Sequence, residues 1–311
     1  MRKTCHICLS SHDEVMFRSD ADLNRGFNSL AVAVLETDSR LLSEGFMSTH
    51  FHGLLQTDNS ADVMHRTRYA YARYFNSKYR RSGRLGEKQY FALIIEGFHH
   101  TVAALNYVNR QGVHHGLSQT PFGYRHCSAR SFFRRELGVS ETVSLMAVDQ
   151  RYKYLPKGLS LPNEYRMDTN GLLLREDILD TAQVEAMYVS PRNFLYQMNK
   201  VGDEMSLREQ QEENSPTRII TMEVIEPGFS PEEVAQLLRN EKGRFNPAFI
   251  SDIELCQLID ETYLPKYHGS STLYDLSVAQ RARLGDRLWQ ELWPLTKKRT
   301  TDVQLKRCLA L

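Results

Sequence analysis

No stretch of this 311-residue chain stays apolar long enough to cross a bilayer. No secretory leader is evident, and the five cysteines form an odd set with no framework of pairs. Both features point to a reducing compartment, so the expected location is cytoplasmic. Cys5-x-x-Cys8 lacks a second pair at zinc-finger spacing and reads as a strand thiol pair. Cys127, Cys256 and Cys308 read as structural. No internal repeat is evident. The only biased tract is Glu209-Gln210-Gln211-Glu212-Glu213-Asn214-Ser215-Pro216, which reads as a loop or mobile link.

An excess of either charge is also missing overall, with 39 Lys+Arg against 38 Asp+Glu. The balance hides an asymmetry. Residues 1–135 carry 18 basic against 11 acidic side chains, and the remainder carries 21 against 27. The length suggests two domains, and 41% hydrophobic residues can build a sizeable core. The expected division is 1–135 and 136–311.

Periodicity gives the first domain an alternating order. Strands are expected at 4–10, 40–48, 50–56 and 90–95, and helices at 20–36, 62–80 and 99–110. The units are too short for a doubly wound sheet. They suit an α+β, ferredoxin-like domain, an antiparallel sheet with helices on one face. The second half reads as mixed, then mainly helical. A hairpin or loop is expected over 154–174, with helices over 175–187, 191–199, 250–264, 276–292 and near the end at 300–309. Ser230-Pro231-Glu232-Glu233 carries the signature of a capped helix start.

The candidate chemistry sits in the basic half. In Thr49-His50-Phe51-His52-Gly53-Leu54-Leu55-Gln56 the two histidines are two apart, so on a strand they project from one face. They can hold a divalent cation together, or be ordinary residues of a half-buried strand. About fifty residues on, Asn106-Tyr107-Val108-Asn109-Arg110-Gln111-Gly112 ends a helix, with Gly112 as its stop. Tyr107 and Gln111 stand four apart and share a face. A phenol with a pKa of about 10 is a poor nucleophile at neutral pH, but it can attack a phosphodiester polarised by a metal. Gln111 can add a hard oxygen ligand. Alone, Tyr107 could equally be a core or surface aromatic.

Basic residues flank these motifs. Arg73, Lys78, Arg80, Arg81, Arg84 and Lys88 are interleaved with tyrosines, and Arg125 and Arg130 follow the tyrosine helix. They can bind phosphates while aromatic faces stack on bases. A solvated cationic helix face over core tyrosines would leave the same pattern.

These pieces together resemble the single-tyrosine HUH transposases, particularly the REP-associated tyrosine transposases. That family has a His-hydrophobic-His strand, a tyrosine on a later helix, and Asn or Gln four residues after it. Val15-Met16-Phe17-Arg18-Ser19-Asp20-Ala21-Asp22 resembles its entry to the first helix. Tyr71-Ala72-Arg73-Tyr74-Phe75-Asn76 resembles its second helix, and Gly116-Leu117 closes its tyrosine signature. The family's Asn-Pro is Gln111-Gly112 here, and glutamine keeps the ligand chemistry. The resemblance implies His50, His52 and Gln111 as ligands of Mg²⁺ or Mn²⁺, and Tyr107 as nucleophile. It implies cleavage of single-stranded DNA with palindromic hairpins through a 5′-phosphotyrosine, in a nucleoid-associated protein for which a homodimer is one expected arrangement. The C-terminal half would read the DNA element, pack, or dimerise. Two alternatives stand beside it: a relaxase or replication-initiator type of HUH nuclease, and a non-catalytic DNA-binding regulator.

Overall fold

The computed structural model describes residues 2–311, apart from 140–142, 156–158, 160, 201–203, 227–228, 242–245 and 270–271. Strand β1 (Lys3–Ser10) is followed by α1 (Asp20–Glu36), β2 (Arg40–Phe46), β3 (His50–Thr57), α2 (Ser60–Tyr79) and β4 (Phe91–Ile95). The four strands form one sheet in the order β2-β3-β1-β4, and every neighbouring pair is antiparallel. The α+β, four-stranded antiparallel expectation therefore holds. β1 and β2 run parallel with β3 between them, so α1 crosses over a split pair.

Local chemistry sets the helix ends. The Ser19 side chain accepts from the Asp22 amide at the start of α1, and Asn59 caps α2 in the same way. Arg80, at φ 53°, closes α2 in the left-handed conformation. The segment that resembles a transposase helix entry has a structural job here. Asp22 is fully buried and accepts from Lys78, Tyr74 and Tyr79, tying α1 to α2.

Both faces of β3 are covered. Phe51 stacks on Phe46, and Gly53 lies against Ile7 and Leu30 of α1, so this face packs on α1 and α2. His50 and His52 point the other way, toward α3 (Phe98–Asn109) and α4 (Gln111–His114). The expectation of helices on one face is thus corrected. A strand with apolar or buried side chains on both faces needs cover on both, and the tyrosine helix supplies the second.

The remaining helices are α5 (Arg175–Ile178), α6 (Thr181–Tyr188), α7 (Pro191–Asn199), α8 (Glu204–Glu212), α9 (Met222–Ile225), α10 (Pro231–Glu241), α11 (Asp252–Leu258), α12 (Leu264–His268), α13 (Val278–Thr296) and α14 (Asp302–Cys308). The helix expected over 175–187 is broken at Asp180, which caps α6. In the expected hairpin or loop, 156–158 and 160 lie outside the described residues, and a Met167–Leu173 bridge closes a turn. The capping box at Ser230 and Glu233 forms with both bonds present. Among the described residues no helix is long and apolar enough to cross a membrane.

Two apolar clusters hold the chain. One runs from Cys5 to Leu237 and joins the sheet to α6, α7 and α9. The other gathers residues 250–309 around Val15. A fully buried Arg18 links this second cluster to the sheet, donating to both carboxylate oxygens of Asp260 and to the Cys308 carbonyl.

Candidate active site

Three side chains place the tyrosine helix. Ser43 of β2 donates to Asn109 at 3.0 Å, and Tyr188 donates to Asn106 at 2.8 Å. At the other end, Glu213 accepts from the backbone amides of Phe98, His99 and His100 and pairs with the His100 ring at 2.8 Å. A carboxylate on those free N–H groups suits the positive end of the helix. Burial would raise the Glu213 pKa, but the His100 ring and these amides hold it below the usual carboxylate value. The polar tract read as a mobile link is therefore the last turn of α8 followed by a clamp on α3.

Gly112 does not stop the helix as expected. The break falls at Arg110, and Gly112 lies inside α4. A β-carbon there would come within 2.3 Å of the Tyr124 side chain, so glycine is needed for close approach. Gly45 plays a similar part opposite, where a β-carbon would come within 3.1 Å of the Val108 carbonyl and 3.2 Å of the Gln111 side chain. Together they let Tyr107 and Gln111 lie over the two histidines.

His50, His52, Tyr107 and Gln111 meet around one carboxylate. Oε1 of Glu226, which follows α9, lies 3.1 Å from His52 Nε2, 4.0 Å from His50 Nε2 and 3.9 Å from His115 Nε2. It also accepts from the Tyr107 hydroxyl, and Gln111 Nε2 lies at 3.5 Å. Both histidines, Gln111 and Glu226 are buried. On the far side of His52, His6 Nε2 shares a hydrogen with His52 Nδ1 at 2.9 Å, and the rings stack. This contact leaves His52 Nε2 facing the centre.

Electrostatics follow from that geometry. Burial works against charge on His52, but the Cys8 sulfur and the Glu226 carboxylate outweigh it and lift its pKa to about 10. Burial likewise opposes charge on Glu226, yet His52 and its neighbouring histidines hold it well below the carboxylate range. Burial, reinforced by His115 beside it, pushes His50 well below the usual value. Burial and the Glu226 charge push the Tyr107 phenol well above its usual value, so at neutral pH it keeps its proton.

The donors fit a divalent cation. His50 Nε2, His115 Nε2, Gln111 Oε1 and Glu226 Oε2 are buried and make no well-formed hydrogen bond among the described residues. Buried polar atoms normally find partners. Unpartnered imidazole nitrogens gathered at one buried carboxylate are what an N/O metal site presents, and imidazole with oxygen donors suits manganese better than magnesium. His50, His115 and Glu226 bring their donor atoms within 4.8 Å of one another.

The sequence reading assigned no role to Glu226, His115 or His6. Period-two alternation could have flagged His6, which shares a face with Cys8 and pairs across β1 and β3 beside His52. No local pattern marks Glu226.

The basic residues lie apart from this centre. α2 packs on the opposite face of the sheet. On it and just beyond, Lys78 pairs with Asp22, Arg81 with Glu14 and Arg80 with Asp275. Arg73, Arg84 and Lys88 are exposed. Arg125, 3.7 Å from Asp20, and Arg130 line a cleft of about 190 Å³ with Arg134 and Arg175. A larger cleft of about 630 Å³ opens beside the site, lined by Thr49, His115, Tyr124, Phe229 and Lys298 among others.

No known family model matches the chain, and no curated protein matches it. Among solved structures, a REP-associated tyrosine transposase bound to a REP hairpin is similar over 44% of this chain and 81% of that one, at 8% identity and a TM-score of 0.37. So distant a likeness does not bear on function, which rests on the site itself.

Proposed function

We propose that the protein is a metal-dependent, single-tyrosine DNA endonuclease and strand transferase acting on single-stranded, hairpin-forming DNA. The observation that carries this reading is the convergence of Tyr107, His50, His52 and Gln111, from β3, α3 and α4, on one buried point with unsatisfied donor atoms. Tyr107 and His52 bond to Glu226, whereas His50 Nε2 and Gln111 Oε1 are buried beside them without a hydrogen-bond partner.

In this reading His50, His52 and Gln111 hold Mg²⁺ or Mn²⁺. The cation supplies charge neutralisation and polarisation at the scissile phosphate. The chain's residues do the rest. His6 fixes the His52 ring. Ser43, Tyr188 and Glu213 hold the tyrosine helix in register. Tyr107 Oη forms the bond to phosphorus as the bond to the 3′-oxygen breaks. The DNA 5′-phosphate is left on the tyrosine, and the 3′-oxygen departs as a hydroxyl with the proton that the phenol loses. Attack of a 3′-hydroxyl on the phosphotyrosine reverses the step and rejoins DNA with no external energy. Arg73, Arg84, Lys88 and Arg125 offer exposed cations for the phosphate backbone, and the cleft beside His115 offers aromatic faces for unpaired bases.

The test is incubation with labelled, hairpin-forming single-stranded oligonucleotides and Mn²⁺, followed by a denaturing gel. The expected result is an SDS-resistant adduct that disappears in Tyr107→Phe, while retardation on a native gel persists. Retardation with no adduct, across metals and sequences, would favour a non-catalytic DNA-binding regulator. An undiminished adduct in Tyr107→Phe would rule out this nucleophile.

A further inference from the structure

We infer that Glu226 is itself a ligand of the cation, so that the metal site is completed by the C-terminal half of the chain. The inference rests on the metal-dependent reading above and deepens it. Two histidines on β3 and an amide on α4 all belong to the first 135 residues, whereas Glu226 stands more than ninety residues beyond them. It nonetheless lies at the centre of the cluster. Its Oε1 is 3.1, 3.9 and 4.0 Å from the Nε2 atoms of His52, His115 and His50. Neighbouring ligands of an octahedral ion at about 2.1 Å stand about 3.0 Å apart, and opposite ones about 4.2 Å apart. The 3.1 Å separation is that of neighbouring ligands, and the 3.9 and 4.0 Å separations lie between the two values.

Three facts separate a ligand from a structural carboxylate. Glu226 is 1% exposed, so its charge has no water to lean on. Its second oxygen has no partner although buried, which a purely structural ion pair would leave as an uncompensated loss. His50 and His115 turn unpartnered nitrogens to the same place, and neither is hydrogen-bonded to Glu226 at these distances. The arrangement brings His50, His115 and Glu226 within 4.8 Å of one another as two imidazoles and a carboxylate, with His115 facing the large cleft and His52 bonded to Glu226 beside them. Such a set selects a borderline transition ion such as Mn²⁺ over Mg²⁺. It also makes cation binding report on docking of the segment that ends at Glu226.

The test is Mn²⁺ binding to the full-length protein without DNA, read from loss of the free-ion electron paramagnetic resonance signal and by calorimetry. The expected result is one tight Mn²⁺ per chain, weakened at least tenfold by Glu226→Gln and by His50→Ala. Glu223→Gln, at an exposed carboxylate on α9 just before Glu226, should leave binding unchanged. Hydrogen exchange of wild-type segment 222–226 should slow when Mn²⁺ is added, a readout that needs no variant. Unchanged or tighter binding in Glu226→Gln, or unchanged exchange, would overturn the inference and leave the histidine site standing. Absence of Mn²⁺ binding in wild type would instead sink the metal-dependent reading itself.

Discussion

At the scale of single residues, the chain near its site depends on side chains kept in unusual protonation states. His126 joins the segment after the tyrosine helix to α1 by a 2.9 Å contact with Asp20, and burial pushes its pKa down to about 4 although Asp20 pulls it up. An unfolded histidine titrates near 6.5. Between those values the unfolded chain takes a proton that the folded one refuses, so stability falls as pH drops from about 6.5 toward 4 and is unaffected above. The full loss is on the order of 3 kcal/mol. The hydrogen bond to His126 holds the Asp20 pKa below its usual value, so losing it at still lower pH acts in the same direction. Thermal denaturation from pH 7.5 to 4.5 should show a steep decline in wild type and a flatter one in His126→Gln; equal slopes would refute the assignment. His50 and His52 were legible at this scale, because alternation alone puts them on one face. Glu226 was not, because a lone glutamate in a short helix end carries no mark of where its carboxylate goes.

At the scale of elements, the packing of α4 against the segment after it is set by the missing side chain of Gly112. Gly112→Ala must displace Tyr124, and overpacking of this kind costs about 1–3 kcal/mol. A lowered urea midpoint with the slope unchanged, together with loss of Gln111 from the site, is the expected result; neutral stability would show that Tyr124 yields freely. The cations on and just after α2 divide by their partners. Lys78 and Arg81 are held by Asp22 and Glu14, whereas Arg73, Arg84 and Lys88 are exposed. Replacing the exposed three by glutamate should weaken binding of single-stranded DNA and reduce its salt dependence by about one phosphate contact each. Lys78→Gln should lower stability with less effect on the salt slope. A reversed ranking in salt-dependent titrations would show that the cations paired with carboxylates, not the exposed ones, meet DNA. The strand and helix order was legible here from hydrophobic period and caps. The second cover on the sheet was not, since period tells which face of α3 is apolar and not which face of the sheet receives it.

At the scale of the whole molecule, one buried arginine ties the C-terminal cluster to the sheet. Arg18→Met strands Asp260 and the Cys308 carbonyl, and breaking such a pair costs on the order of 3 kcal/mol. Both tryptophans, Trp289 and Trp293, lie on α13 within that C-terminal region. Their fluorescence should therefore report an earlier unfolding transition in Arg18→Met than circular dichroism reports for the whole chain. Coincident transitions would mean that the two apolar clusters unfold as one.

The sequence by itself determined the elements and their faces: the capped start at Ser230, alternation in β3, and the four-residue step from Tyr107 to Gln111 are local, and local geometry follows from local chemistry. Only the tertiary structure decided which distant groups share a buried space. Glu213 on the helix start and Glu226 at the heart of the site come from the acidic half, more than a hundred residues from the partners they serve. No periodicity records such a meeting, because the energy that places a buried carboxylate comes from the charges and amides around it and not from its neighbours in the chain.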